Sequence, residues 1–307
     1  MDITSLLKQT YAEYNEDRVP RLAAALAYYT TFSLAPLLVV LIAIAGAIFG
    51  VDAVQGRLDD QIRGLLGADG ARAVQDMVQS ATAHPSSGIV ATVLSIGALL
   101  LGASGVFGEL QDSLNTIWEV RPKPGRGLRD LIHDRLLSFG MVLAVAFLLI
   151  VSLVASTVIS GIGAMVGGAA GALAPLWAAV DTIVSILVLS LLFGAIFKWL
   201  PDVRIAWRDI WVGAVATSVL FTIGKQVLGY YLGHSSTMSV YGAAGALVVL
   251  LVWVYYSAQI LFVGAELTQV YANRYGARAI PRANAEPVTE DARAQQGMAR
   301  QSSEHDS

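Results

Sequence analysis

The sequence predicts an all-α, polytopic membrane protein of six transmembrane helices with both termini on the cytoplasmic side. Three observations carry that prediction. The 307-residue chain is 55% hydrophobic and only 14% charged, with a mean hydropathy of +0.61, whereas soluble domains hold about 25% charged residues. Its charges cluster and leave long apolar gaps between them, as in a chain that crosses a bilayer repeatedly. Its Lys and Arg residues fall almost entirely on alternate loops.

Apolar stretches long enough to cross ~30 Å of hydrocarbon, at about twenty residues each, fall near 22–49, 88–108, 136–160, 176–199, 209–232 and 243–271. The third and fourth share a charge-free region from Leu136 to Val180, broken by the small-residue run "GIGAMVGGAAGALAP". The N-terminal segment, the loops after the second and fourth spans and the C-terminal tail carry fifteen Lys and Arg residues. The opposite side has only Arg57, Arg63 and Arg72. Positively charged loops stay in the cytoplasm, which sets the orientation. The first apolar run is too long, and begins too far from the N-terminus, for a signal peptide.

Residues 1–21 form a cytoplasmic segment in which Ile3, Leu6, Leu7, Tyr11 and Tyr14 share a helical face, predicting a short helix on the inner leaflet. Residues 22–272 form the membrane domain. Within it, 52–85 read as an external helical hairpin: Val54, Leu58, Ile62 and Leu65 make one stripe, and Val74, Met77, Val78 and Ala81 another, either side of "GADG". Residues 273–307 read as a disordered cytoplasmic tail.

The first span carries "AAALAYYTTFSLAPLL", Ala23 to Leu38, with Tyr28, Tyr29, Thr30, Thr31, Ser33 and Pro36 at membrane depth. Hydroxyls find no partner in lipid. They either bond between helices, at about 0.6 kcal/mol each, or form a polar wall of an internal cavity. Ionisable groups in the spans also need an account. Glu109, Lys198 and Glu266 fall near the cytoplasmic interface, where snorkelling or an interfacial ion pair accounts for them. Asp181 and Lys225 both fall in the outer half, where a salt bridge or a shared aqueous cavity is expected. Gly97, Gly102, Gly105 and Gly108, and the repeat Gly163, Gly167 and Gly171, predict close helix packing.

Several chemistries are excluded or disfavoured. Without cysteine there are no disulfides, thiolate metal sites or cysteine nucleophiles. Of the four histidines only His133, beside Asp130 and Asp134, is expected in an ordered cytoplasmic loop. No aromatic-studded RNA-binding module is present. No G-x-x-x-x-G-K-[ST] phosphate loop occurs either. The expectation is a non-enzyme with no cofactor, no metal and no nucleic-acid partner.

The ordered set "AAALAYYTTFSLAPLL", "GELQDSLNTIWEVRP", "KWLPDVRIAWRDIWVGAVATSVLF" and "YYLGHSSTMSVYGAAGALVVLLVWVYYSAQILFVGAEL" resembles the YihY/BrkB family of bacterial inner-membrane proteins, from about Asp17 to Ala272. The family has carried a ribonuclease label and has been associated with serum resistance and envelope-lipid export. The resemblance implies an inner-membrane location and motivates a transport reading, with membrane lipids as partners and an envelope protein as a further candidate partner. It adds Tyr231, Tyr241 and Tyr256 to the cavity candidates Tyr28, Tyr29, Thr31, Ser33, Pro36, Asp181 and Lys225, and Asn115 to the inner-interface set. Pro201, Asp202 and Trp207 also match. Arg121, Lys123 and Arg126 are the candidates for holding anionic lipid. The alternative is a scaffold that transports nothing, with hairpin and tail as its binding surfaces.

Overall fold

A computed structural model describes residues 2–82, 89–124, 140, 170–234, 243–289 and 293. Its elements are α1 (Ile3–Glu16), α2 (Val19–Phe49), α3 (Val51–Thr82), α4 (Ile89–Ile117), β1 (Val120–Pro122), α5 (Ala170–Trp199), β2 (Val203–Arg204), α6 (Trp207–His234), α7 (Ala243–Tyr275), β3 (Ile280–Pro281) and β4 (Ala285–Pro287). Four described helices are long and apolar enough to cross a membrane: Val19–Ala43, Thr182–Trp199, Trp207–Leu228 and Leu247–Tyr275. They fall on the first, fourth, fifth and sixth expected spans. Helix α4 covers the second, and the third, 136–160, lies outside the described residues except for Gly140.

The start of α2, the ends of α4, α5 and α7, and the start of α6 gather at one end of the bundle, here the basal end. Their meeting makes the main core. Val19, Leu22 and Leu26 of α2 join Leu114 and Ile117 of α4, Phe193 and Phe197 of α5, Ile210 of α6 and Phe262 of α7. Phe197, Phe262, Leu114, Ile117 and Ile210 are the kind of large side chain whose complete burial stabilises by about 1.5–3 kcal/mol each. Helix α1, capped by the Asp2 carboxylate accepting from the Thr4 and Ser5 amides, packs on α7. Leu6 is buried and the Tyr14 hydroxyl donates to Gln259 Oε1 at 2.7 Å. Ile3, Leu7 and Tyr11 stay exposed, as a helix lying on a lipid surface requires.

Small residues set how closely the helices approach. On α6 and α7 two Gly-x-x-x-Thr steps, Gly213/Thr217 and Gly264/Thr268, interlock. A Cβ on either glycine would overlap the threonine of the other helix. Each threonine hydroxyl donates back to the glycine carbonyl of its own helix, at 2.6 Å, and so brings no unpaired polar group into the contact. Between α2 and α4, Gly102 faces the Pro36 ring and Gly105 faces Ser33 Oγ. Packing therefore explains Gly102 and Gly105 as the sequence predicts, whereas a Cβ at Gly97 or Gly108 would meet nothing within 4 Å. The repeat Gly163, Gly167 and Gly171 lies outside the residues whose contacts are described.

Helix α3 is the predicted hairpin, and it packs along the bundle. Gln75 Nε2 donates to Asp59 Oδ1 at 2.6 Å, and residues sixteen positions apart would be about 24 Å apart on a straight helix. The helical backbone therefore doubles back between them. Gly50, at φ 88°, ends α2 and turns the chain straight into α3. The stripes Leu58 and Ile62, and Val74 and Val78, then cluster with Leu34, Leu38 and Leu41 of α2 and Val249, Leu250, Trp253 and Val254 of α7. All of these partners belong to candidate membrane spans. Leu38 lies about 16 Å below the distal end of α2 at 1.5 Å per residue. The hairpin packs against the distal half of the bundle.

The described part of the tail, 273–289, is structured where the sequence predicts disorder; the rest, except Arg293, lies outside the described residues. Strand β4 pairs antiparallel with β1, Val120 opposite Pro287, and β3 pairs with β2, Val203 opposite Pro281. Short strand edges at the helix ends, rather than any hydrophobic pattern in the tail, hold 280–287 in place. Arg282 Nη2 donates to the Trp199 carbonyl at 3.1 Å, satisfying a C-terminal carbonyl of α5.

Candidate functional site

Two polar clusters are buried at the basal end. In the first, Asp202, 1% exposed, sits between helix ends, has no cationic partner among the described residues, and is held by amides. Its main-chain N–H donates to Asn115 Oδ1 at 2.7 Å, and Asn115 Nδ2 donates back to Oδ2 at 3.0 Å. Asn284 Nδ2 donates to Oδ1 at 3.1 Å. The reciprocal Asn115–Asp202 pair locks the end of α4 to the loop between α5 and α6. Nearby, Asp209 accepts from the Ala277 amide at 3.1 Å, and Gly276 runs so close over it that a Cβ would collide with the carboxylate.

The second cluster surrounds Arg293. Its Nη1 donates to Glu119 Oε1 at 2.6 Å, and its Nη2 to Glu16 Oε1 at 3.0 Å and Asp17 Oδ1 at 3.1 Å. Arg293 is 4% and Asp17 1% exposed in their side chains. Burial pushes the Asp17 carboxyl up to about 7, against the pull of Arg293 and helped by Glu119, Glu13 and Glu16. Burial likewise raises Glu13, with Glu16 and Glu119 adding to it. Glu266 of α7 completes the group: it is fully buried and neither carboxylate oxygen has a hydrogen-bond partner. The two described non-glycine residues with positive φ, Arg18 at 52° and Glu119 at 53°, both adjoin or belong to this cluster. Such strain gathers where the surroundings over-determine a site.

At the distal half the polar groups are arranged in the opposite way. The α3 hairpin turns its apolar stripe to α2 and α7, while Asp60, Arg63, Gln75 and Asp76 are exposed. Arg63 pairs with Asp59 at 2.8 Å. Helix α6 also packs on the hairpin and carries Lys225, exposed, about 27 Å along from its basal start.

Among the described residues, the first-span candidates divide between packed and exposed positions. Thr31, Ser33 and Pro36 pack, with Ser33 and Pro36 against the α4 glycines and Thr31 donating to the Ala27 carbonyl at 2.8 Å. Tyr28 and Tyr29 are exposed, with Tyr28 tilted against Phe32 at 4.8 Å between ring centroids. Glycines on α4 let α2 approach too closely to leave a gap between them. Tyr256 of α7 lies over Gly224, next to Lys225 in sequence. The side chains of Asp181 and Tyr231, and all of Tyr241 and Arg126, lie outside the described residues.

Among the interfacial candidates, Lys198 donates to the Ile205 carbonyl and lies 5.6 Å over the Trp207 ring. Glu109 is half-buried. Glu266 neither snorkels nor pairs, because α7 turns it into the bundle instead of toward the surface. Arg121 and Lys123, expected to gather lipid, have protein partners: Arg121 pairs with Glu286 at 2.9 Å and Lys123 donates to the Ala283 carbonyl at 2.9 Å. The role of Arg293 escaped sequence reasoning. The available signal was the acid-rich turn "AEYNED" at a loop end expected to be cytoplasmic, where positive-inside retention gives acids no reason to be. Among the described residues no group of side chains is suited to hold a metal.

Comparison with known proteins follows the same boundaries. Residues 10–289 match the family described as Virulence factor BrkB. A UPF0761 membrane protein of Ralstonia nicotianae is 27% identical over 86% of this chain and 58% of its own length. One of Teredinibacter turnerae is 28% identical over 90% of this chain and 62% of its own. One of Psychromonas ingrahamii is 25% identical over 84% and 83%. The chain thus spans about three-fifths of the length of the first two relatives. No solved structure matches it.

Proposed function

We propose, from the premise that this chain belongs to the Virulence factor BrkB family of integral membrane proteins, that it moves an amphiphile with an anionic head group across the bacterial inner membrane. One observation carries the reading: a charged hairpin face, Asp60, Arg63 and Asp76, lies exposed at the level of candidate membrane spans. Non-lipid groups at that depth are tolerated where they border water or cargo. The head group would travel along this face while the acyl chains stay in lipid beside the exposed apolar sides of α5 and α6. Lys225 supplies a cation on the neighbouring helix.

Six spans and a cytoplasmic basal end belong to the same proposal. Both α4 and α6 have their Asn115, Gln111 or Asp209 ends at the base, and α5 ends there as well, so the chain between α4 and α5 must return to the distal end. Fifteen Lys and Arg residues on one set of loops support placing that base in the cytoplasm. The protein acts without catalysis in this reading.

The test is movement of a labelled anionic phospholipid between leaflets of proteoliposomes, comparing the wild type with Lys225→Ala and Arg63→Ala at equal reconstitution. Protein-dependent movement that falls several-fold in both variants is the expected result. Movement no faster than in protein-free vesicles would turn the reading to a scaffold.

A further inference from the structure

We propose that the basal carboxylate pocket is a proton-linked docking site for the chain's own C-terminal segment, in which Arg293 and protons compete for the same acids. The pocket is assembled from separate elements: Glu13 and Glu16 from α1, Asp17 from the α1–α2 link, Glu119 from the end of α4, and Glu266 from α7. Among the described residues Arg293 is the cation that faces it, since Arg18 and Arg21 at the start of α2 are exposed. Three acids bind the guanidinium directly. Glu266 is turned into the same group, fully buried with both oxygens unpartnered, which marks unused acceptor capacity beyond what Arg293 fills.

One guanidinium cannot neutralise buried Asp17 and Glu266 together with the partly buried Glu13, Glu16 and Glu119, and burying unpaired charge is prohibitive. The pocket therefore holds protons as well as the arginine. Removing Arg293 withdraws the only group that pulls Asp17 toward ionisation, so release of the segment takes up a proton from solvent. By linkage, acid favours release and base favours docking. The pivot lies close to neutral, where Asp17 titrates in the docked state. Strands β3 and β4 hold 280–287 in both states, so the exchange is read at Arg293.

The absence of cysteine makes the experiment direct. Nitroxides are attached to the full chain in nanodiscs at Lys8→Cys, exposed on α1, and Gln295→Cys, and their separation is measured from pH 5.5 to 8.5. A single narrow distance at high pH should give way to a broad, longer one in acid, with the released-to-docked ratio rising about tenfold per pH unit for one linked proton. Arg293→Gln should be broad at every pH, and Asp17→Asn should flatten the dependence. Glu16→Gln, less buried and safer for folding, should shift the midpoint. A distribution unchanged across the range, or the same pH dependence in Arg293→Gln, overturns the proposal.

Discussion

The two halves of this bundle solve the problem of polar groups near a membrane in opposite ways. At the base, polar side chains are buried and given specific partners: Asn115 on Asp202, Ala277 on Asp209, three acids on Arg293. At the distal half the hairpin keeps its polar side chains exposed and buries only its apolar stripe. A buried polar network has one good geometry and a high penalty for losing it. An amphipathic wedge held by apolar contacts has many near-equivalent positions. The helix ends around Asp202 and Asp209 are therefore the fixed part of the molecule, and the distal half is where groups are free to engage something else.

The largest effect expected from breaking this contrast is at the base. Asn115→Ala strips the Asp202 amide and its carboxylate of partners in a buried site, at a cost of about 3 kcal/mol. Thermal unfolding in detergent would show it as a large drop in midpoint. An unchanged midpoint would mean that water replaces the amide and these helix ends are not the fixed part. Next comes Gly264→Ala, whose methyl collides with Thr217 and should cost about 1–3 kcal/mol. Adding Thr217→Ala should recover much of that loss, because the clash is with this side chain. A strictly additive double mutant would argue against the interlocked contact.

How much of this was legible follows from which interactions carry a local signature. The apolar windows and the hairpin stripes are periodic, and the elements at 51–82 and 243–275 appear where the periodicity puts them. Where the hairpin lies was not legible, because periodicity says which side of a helix is buried and not against what. The same holds for Ser33: its neighbour, Gly105, is supplied by another helix, so cavity wall and packing contact look alike in sequence. Asn115 and Asp202 were both singled out, yet 87 residues separate them and nothing local announces that they bond. The tail misread has a similar cause. Two- and three-residue strands leave no pattern, and their partners are strand edges elsewhere.

A smaller effect separates the halves by pH. Asp17 titrates near 7 in the fold against 3.8 ordinarily. The folded chain thus holds a proton that the unfolded chain gives up across that window, and stability contributed by the base declines as pH rises from about 4 to 7. Asp17→Asn should flatten this part of a melting-point profile. A profile that keeps its slope in the variant would assign the titration to another group.

The smallest stability effect is expected on the hairpin face, and it is the most informative. Arg63 is half-exposed and pairs with Asp59 one turn away, an arrangement worth below about 1 kcal/mol. Arg63→Ala should leave the melting midpoint near that of the wild type while slowing lipid movement several-fold. Leu58→Ala, on the packed stripe of the same hairpin, should lower the midpoint measurably because it removes apolar contact with α2 and α7. If Arg63→Ala instead destabilised as much as Leu58→Ala, the exposed face would be structural after all. The charged side chains would then be partners of the fold, as at the base, and the distal half would have no free polar surface on which a head group could move.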